Sequence, residues 1–561
     1  MRAVRVRAAG MRAVGDAAVL AEAGPAPGAA ASLAAAIAAL RLPGVTDIVP
    51  GAATVLVITE PGSTDQTWLA RRIGALLAGQ VPAAPAAQAA PVLIPVCYDG
   101  PDLTEVAGLT GLSPDEVITR HQAAEYQVGW LGFAPGFGYL PGLDPVLAQV
   151  PRLATPRQRV PAGSVAIAGG LTAVYPSASP GGWRLIGRTT ARLWDSDREP
   201  PALFAPGMPV RFRAVSAAEL APERPARALA EDGPGARSTL EIVRPGPLTT
   251  VQDLGRTGYA HLGVPHAGAA DLDSLRLANR LVGNPDGAAG LEFTLGQAVL
   301  RFHASVVIAL TGAPAPASVE HPSTGDARAE PDYDGPDYVG LGTHLGSSPD
   351  DVPAARREVP PGEAVELPAG AVLRLRTPPG GLRTYLAVRG GIDVPAVLGS
   401  RSADLLSGLG QAPLRAGDRL PVGPAPRAAR PTPPPSVSEP PDADGAAILR
   451  VIAGPRDDWF EAAALELLAS EAFRVTPVSN RTGLRLSGPA LPRARAGELP
   501  SEGMVAGALQ VPPDGQPILL LADHPATGGY PVIAVLRTAD IGRAAQLRPG
   551  QLVRFAVSPP P

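Results

Sequence analysis

The residues best suited to chemistry fall in a few short stretches. Leu131-Gly132-Phe133-Ala134-Pro135-Gly136-Phe137-Gly138-Tyr139-Leu140-Pro141-Gly142 interleaves glycine and proline with aromatic rings. Such a run suits neither a helix nor an ordinary strand. It predicts a tightly wound loop whose backbone N–H groups face a ligand, or a barrel corner where glycine permits the bend. Gly132, Pro135, Gly136, Phe137 and Tyr139 are its candidate contacts. Further on, Arg157, Ser164, Arg184 and Arg188 stand among small residues on turns. Arginine so placed can grip a carboxylate or phosphate bidentately, or pair with an acid such as Asp195 to close the fold. His121 ends a capped helix just before the glycine run, where it can be structural or move a proton.

The second half carries Thr249-Thr250-Val251-Gln252-Asp253-Leu254-Gly255-Arg256. Gln252, Asp253 and Arg256 suit a polar loop pinning the entrance to a barrel, or an Asp253–Arg256 ion pair that fixes that loop. His261 and His266 follow at no recognisable metal-ligand spacing. Near the end, Asp523-His524-Pro525-Ala526-Thr527-Gly528-Gly529-Tyr530 places a histidine on a glycine-flanked turn, where it can do acid–base work or contact solvent. No Gly-x-Ser-x-Gly elbow or Ser-His-Asp spacing occurs.

These stretches must be positioned by a scaffold that changes texture along the chain. The first hundred residues read β-α-β-β-α-β, with a strand near 11–22, a helix at 31–41, strands at 45–49 and 54–59, a helix at 65–78 and a last strand at 92–98. That order predicts a ferredoxin-like α/β subdomain. Ser113-Pro114-Asp115-Glu116 predicts a capping box. From 125 onward the runs are short, β-rich and punctuated by Gly and Pro, as in all-β barrels. Gly181-Gly182-Trp183 and Gly528-Gly529-Tyr530 are each followed by an apolar run and a turn, Pro206-Gly207-Met208-Pro209-Val210-Arg211-Phe212 and Pro549-Gly550-Gln551-Leu552-Val553-Arg554-Phe555. Gly380-Gly381-Leu382 with Ala416-Gly417-Asp418-Arg419-Leu420 is a weaker copy. One barrel type used about three times is the implied plan. The division is 1–124 (α/β subdomain), 125–215 (barrel), 216–238 (linker), 239–424 (barrel), 425–446 (Pro-rich linker) and 447–558 (barrel), with 321–357 a surface excursion.

Composition narrows the function. The chain has 561 residues, formal net charge -4 and 18% charged residues. That is unlike a surface held to nucleic acid or membrane by bulk charge. All 48 basic residues are arginine. Without lysine there is no P-loop lysine, no Schiff base and no attachment point for biotin. The one cysteine, Cys97, excludes an internal disulfide and fits a small core position. No apolar run approaches a membrane span, and a soluble, cytoplasmic protein is expected.

The glycine run, Val160-Pro161-Ala162-Gly163-Ser164-Val165 and the segment from Tyr175 to Thr189 resemble allophanate-hydrolase subunit 1 domains, the group to which the B component of 5-oxoprolinase belongs. Val251-Gln252-Asp253-Leu254-Gly255-Arg256, Ala278-Asn279-Arg280-Leu281-Val282-Gly283-Asn284-Pro285, Gly399-Ser400-Arg401-Ser402 and 510–529 resemble the subunit 2 domain, that of the C component of 5-oxoprolinase. The chain thus resembles a natural fusion of the B and C components. The stretch from Ser402 to Gln411 departs from the family's Ser-Thr-Asp and Gly-Gly-x-Gly-Arg pattern. The resemblance implies cyclophilin-like β-barrels, mainly β with α+β, plus the N-terminal α/β subdomain. It implies an ATP-dependent 5-oxoprolinase that opens 5-oxo-L-proline to L-glutamate with a separate A component, using ATP with Mg²⁺. His121, Asp253 and His524 are then the proton-transfer candidates. Gly132, Pro135, Gly136, Phe137, Tyr139, Arg157, Ser164, Arg184, Arg188, Gln252, Arg256, Gly528 and Tyr530 are the substrate or anion contacts, and no metal ligand is assigned. One alternative is the carboxyltransferase module of a urea amidolyase-like system, with biotin supplied by another protein. Another is a non-enzymatic regulator of a histidine kinase. A homo-oligomer is compatible with each.

Overall fold

The computed structural model describes residues 10–79, 90–220, 239–320, 356–426, 445–497 and 499–558. The linkers expected at 216–238 and 425–446 and the excursion at 321–357 lie largely outside the described residues.

The N-terminal unit forms as β1 (Met11–Val14), β2 (Ala18–Glu22), α1 (Ala29–Ala39), β3 (Val45–Pro50), β4 (Thr54–Thr59) and α2 (Gln66–Ala78). The Asp65 side chain caps α2 by accepting from the N–H groups of Thr67 and Trp68. Leu69 and Ile73 of α2 join Leu33 and Ile37 of α1 in burying one face of the sheet. Sheet order is β1-β2-β4-β3. The ferredoxin-like neighbours of β2, β3 and β4 are kept, but the fourth place is filled from the N-terminal side. The single strand expected near 11–22 is a hairpin broken at Gly15, where φ is 65°. Its first arm, β1, takes the place expected for the strand after α2.

That later strand, β5 (Val92–Val96), pairs instead in parallel with Pro209–Ala214. It therefore opens the first β-rich unit. The two helices that follow, α3 (Leu103–Thr110) and α4 (Pro114–Ala123), pack Leu103, Val106 and Val117 into the same core as Phe204 and Phe212. The boundary expected at 124/125 thus moves upstream of Val92, because the face of β5 is buried by barrel strands and not by the N-terminal sheet. Cys97 is buried beside it.

The second β-rich unit stacks a six-stranded on a five-stranded sheet around Phe293, Phe302 and Leu386. The third is a closed seven-stranded barrel. The recurring Gly-Gly and turn pattern has a structural meaning. In the first and third units the strand after the turn pairs in parallel with the opening strand of its unit, 209–214 on β5 and Leu552–Ser558 on Ala447–Ala453. In the weaker copy, Arg419–Pro421 pairs with the opening strand Thr239–Arg244 but antiparallel. Among the described residues no helix is long and apolar enough to cross a membrane.

Candidate functional site

The glycine run folds as a short hairpin in which Trp130–Leu131 pairs with Gly138–Pro141. Its rings turn inward. Phe137 meets Tyr139, Tyr175 and Trp183 with centroids 4.9, 5.2 and 6.0 Å away, and Trp130 stacks on Tyr139 at 4.6 Å. Four of the loop amides are bonded within the protein: Gly132 N–H donates to the Phe137 carbonyl, Ala134 N–H to that of Gly132, Phe137 N–H to that of Ala134 and Gly136 N–H to that of Leu262. The expectation of free N–H groups facing a ligand is therefore corrected. The glycines serve close approach between the two halves. A Cβ on Gly132 would overlap the Thr527 side chain, and one on Gly263 would overlap the Ala134 carbonyl. The hydroxyls of Ser501 and Thr527 lie close enough to Tyr139 to oppose the rise that burial imposes on its pKa. Thr527 Oγ1 nevertheless lacks a well-formed hydrogen bond. The two glycine-rich bends, 132–142 and 523–530, thus face one another in contact.

Most of the polar side chains singled out in the sequence are structural. His121 has no exposed surface. Its Nδ1 is 2.8 Å from the Tyr98 hydroxyl and its Nε2 2.9 Å from Thr172 Oγ1. Burial pulls its pKa down to about 3, so it is a neutral core residue with both nitrogens engaged. Asp253 accepts from the Ser400 and Ser402 hydroxyls, each at 2.6 Å, and from the N–H groups of Gly255 and Arg401. A carboxylate so saturated pins its loop and is not open to a substrate. Arg256 donates to the carbonyls of Val397 and Ser402 instead of closing a pair with Asp253, and its Nη1 is buried without a partner. Gln252 donates to Thr250 and to the Ala403 carbonyl, leaving Oε1 buried and unbonded.

The expected anion-binding arginines are already neutralised. Arg157 meets Asp102 at 2.6 Å, Arg188 meets Asp99 at 2.9 Å and Arg184 pairs with Glu105. Ser164 lies buried opposite Arg188 in the same sheet. With Arg157, Arg184 and Arg188 paired, this part of the first β-rich unit offers an anion no free cation among those three.

His524 sits at the seam between the second and third β-rich units. Its Nδ1 is 2.9 Å from the Pro525 carbonyl, and burial pulls its pKa to about 4. It is neutral at pH 7. Beside it, Arg481 is clamped by Asp523 through two bonds of 2.9 and 3.0 Å, by Glu292, and by the Gly268 carbonyl at 2.6 Å. Glu292 also accepts from the Tyr385 hydroxyl at 2.8 Å and the Ala270 N–H at 3.0 Å. Asp404 is pushed up to about 6 by burial and then by the charge of Asp523. Gly528 packs against Gln510 and Met504, and the ring of Tyr530 is partly exposed.

One hollow of about 700 Å³ opens where the N-terminal unit, the first β-rich unit and the second half meet. Its walls include α1, β3, the strand at Gln127 and the segment Gly258 to His261. Size and concavity are those of a small-molecule site. Asp47 projects from β3 with its Oδ1 accepting from the N–H groups of Gly258 and Ala260, at 2.9 and 3.0 Å. Burial raises its pKa, and the two N–H bonds oppose the rise. His261 stays accessible from the hollow. The protein around it lowers its pKa, against the pull of Asp47 and of the Gly258 carbonyl. A neutral imidazole beside a carboxyl group, one from each half, can accept and pass a proton. None of the three expected proton-transfer residues lines this space; the sequence reading passed over Asp47 and weighed His261 only as a metal ligand. The one available signal was an acid inside the apolar run Val45-Thr46-Asp47-Ile48-Val49.

A family model described as carboxyltransferase domain, subdomain C and D, matches residues 9–204. A second, carboxyltransferase domain, subdomain A and B, matches 262–330 and 347–557. The 5-oxoprolinase C component of Escherichia coli (strain K12) is 37% identical over 325 residues, covering 56% of this chain and 90% of that protein. The 5-oxoprolinase B component of Bacillus subtilis (strain 168) is 51% identical over 128 residues, covering 22% of this chain and 53% of that protein. Urea amidolyase of Lachancea kluyveri is 33% identical over 339 residues, 56% of this chain but 17% of that protein. The crystal structure of TTHA0988 superposes with a TM-score of 0.79 at 36% identity, covering 96% of this chain and 99% of that one.

Proposed function

The chain belongs to the carboxyltransferase-domain family, with a C/D unit fused ahead of an A/B unit, and we propose that it is the fused B/C component of an ATP-dependent 5-oxoprolinase, working in the cytoplasm with a separate A-like protein. The observation that carries this reading is the union, in one chain, of segments similar to the B and C components of 5-oxoprolinase. The contact between their glycine-rich bends supports it. In the net reaction the lactam C–N bond breaks, water supplies hydroxyl to the carbonyl carbon and a proton to nitrogen, and glutamate forms as ATP is hydrolysed. We place nucleotide binding on the partner, because Arg157, Arg184 and Arg188 are each paired with an acid of this chain. This chain would hold the lactam, exclude bulk water and offer His261 as a proton acceptor.

The description of the matched family models and the similarity to urea amidolyase favour a second reading, carboxyl transfer from biotin carried by another protein. One experiment separates the two. The chain is mixed with an A-like protein, ATP and 5-oxo-L-proline, and glutamate and phosphate are measured. Release of both supports the oxoprolinase reading. Release of neither, with carboxyl transfer from free carboxybiotin to urea, replaces it with the second.

A further inference from the structure

The hollow carries more information than its volume. It is built from segments far apart in sequence, since Asp47 and Gly258 are separated by 211 positions. Neither half alone encloses it. Its polar groups are few and of mixed kind. Arg41, just beyond α1 and held at a φ of 46°, reaches the lining. Its guanidinium makes no ion pair or hydrogen bond with the described residues. Gln127 spends its Nε2 on the Gly207 carbonyl at 3.0 Å, which leaves Oε1 as an acceptor. Asp47 has only Oδ1 engaged, so Oδ2 is a second acceptor. The remaining wall is largely small and apolar, with Gly28, Ala31 and Ala38 on the helix side.

This inventory selects a ligand. Two acceptors suit an amide N–H, and a cation at the rim suits a carboxylate. The apolar helix wall suits a saturated ring. We propose that the hollow between the two halves binds a small cyclic amide bearing a carboxylate, with Arg41 on the carboxylate and Gln127 and Asp47 on the ring N–H. The identity of the ligand as 5-oxo-L-proline rests on the function proposed above; the location of the site rests on the geometry.

The test uses the full chain and two probes, 5-oxo-L-proline and 2-pyrrolidinone, which lacks the carboxylate. Isothermal titration should detect 5-oxo-L-proline binding. Arg41→Ala should weaken it by about tenfold, the loss of one charge-assisted contact, and leave 2-pyrrolidinone unchanged. Ala31→Trp fills the hollow from α1 and should abolish binding of both. Ala38→Trp, two turns on and exposed, repeats the test at a position tolerant of size. Wild-type circular dichroism and thermal melting must accompany both fillers. No binding to the wild-type chain, or unchanged affinity in a folded filler variant, overturns the proposal. Glutamate production by the complex separates the two claims. If a filler variant supports wild-type turnover, the site is wrong and the oxoprolinase reading stands. If 5-oxo-L-proline binds in an Arg41-dependent way but no glutamate forms, the site stands and that reading falls.

Discussion

Replacing Arg481 with methionine should nearly unfasten the second and third β-rich units. The side chain is 1% exposed, and its guanidinium donates twice to Asp523, once to Glu292 and once to the Gly268 carbonyl. Methionine fills similar volume but leaves Glu292 and Asp523 as buried carboxylates. Glu292 keeps Tyr385, Ala270 and a longer approach to Arg383 at 3.4 Å. Asp523 keeps the Leu405 N–H at 3.2 Å. Breaking a buried pair from one side costs about 3–5 kcal/mol, chiefly the charge left behind. That is a large part of a domain's usual margin of about 5–15 kcal/mol. Urea titration should show a lower midpoint. Hydrogen exchange should speed up around Gly268 and Asp523 before the other cores open. If stranded charge is the cause, Arg481→Met combined with Glu292→Gln and Asp523→Asn should recover most of the loss. A single variant within about 1 kcal/mol of wild type, or a triple variant no better than the single, would refute the reasoning.

His121 has a folded pKa near 3 against an ordinary 6.5, so the unfolded chain binds the extra proton. Stability should be full above about pH 6.5 and fall on acidification by up to about 1.4 kcal/mol per pH unit; His524 adds to the same slope down to about pH 4, and His121→Gln should flatten the part due to His121 in denaturation curves. Gly132→Ala drives a methyl into Thr527 and should lower the urea midpoint by an amount equivalent to about 1–3 kcal/mol, with Thr527→Ala recovering much of it. Arg188→Ala removes an exposed pair with Asp99 and should leave turnover with the A-like protein unchanged; a loss of activity would restore the anion-site reading.

What was legible in the sequence was local. The capping box at Ser113 is present as read, because Ser113 and Glu116 satisfy each other's backbone N–H within one turn. The Gly-Gly and turn repeats located the strands that pair with each unit's opening strand. Long-range pairing was not legible. Asp102 sits 55 positions before Arg157, and Asp99 sits 89 before Arg188. Nothing in the turn residues announces those acids, so arginines that looked ready for an anion were already paired. The same limit displaced β5, whose apolar pattern fits a ferredoxin-like edge as well as a barrel. It also hid the hollow, whose walls come from separate segments of three units with no shared local signature.

The absence of lysine shapes how the units are fastened. Arg456 bonds both Glu22 and Glu502, and Arg12 bonds Glu22, Asp458 and the Pro455 carbonyl, tying the N-terminal sheet to the third unit. Arg481, Arg383 and Arg548 tie the third unit to the second. Arg456, Arg12, Arg481 and Arg548 each use several directed donors at once, which a guanidinium provides and an ammonium does not, whereas Arg383 donates across the seam through Nη1 alone. Replacing any of them with lysine would keep the charge and lose the bridge. The third unit is thus gripped from two sides by charged clamps. The hollow lies on a different seam, where the first half meets the 258–263 segment through Asp47 and backbone groups. The bonds of that seam to Asp47 come from backbone amides, which carry no net charge, so salt should screen them little. Arg41 at the rim is exposed, and its attraction for a carboxylate should weaken with salt. Raising ionic strength should therefore reduce affinity for 5-oxo-L-proline while leaving that for 2-pyrrolidinone, and the hollow itself, in place.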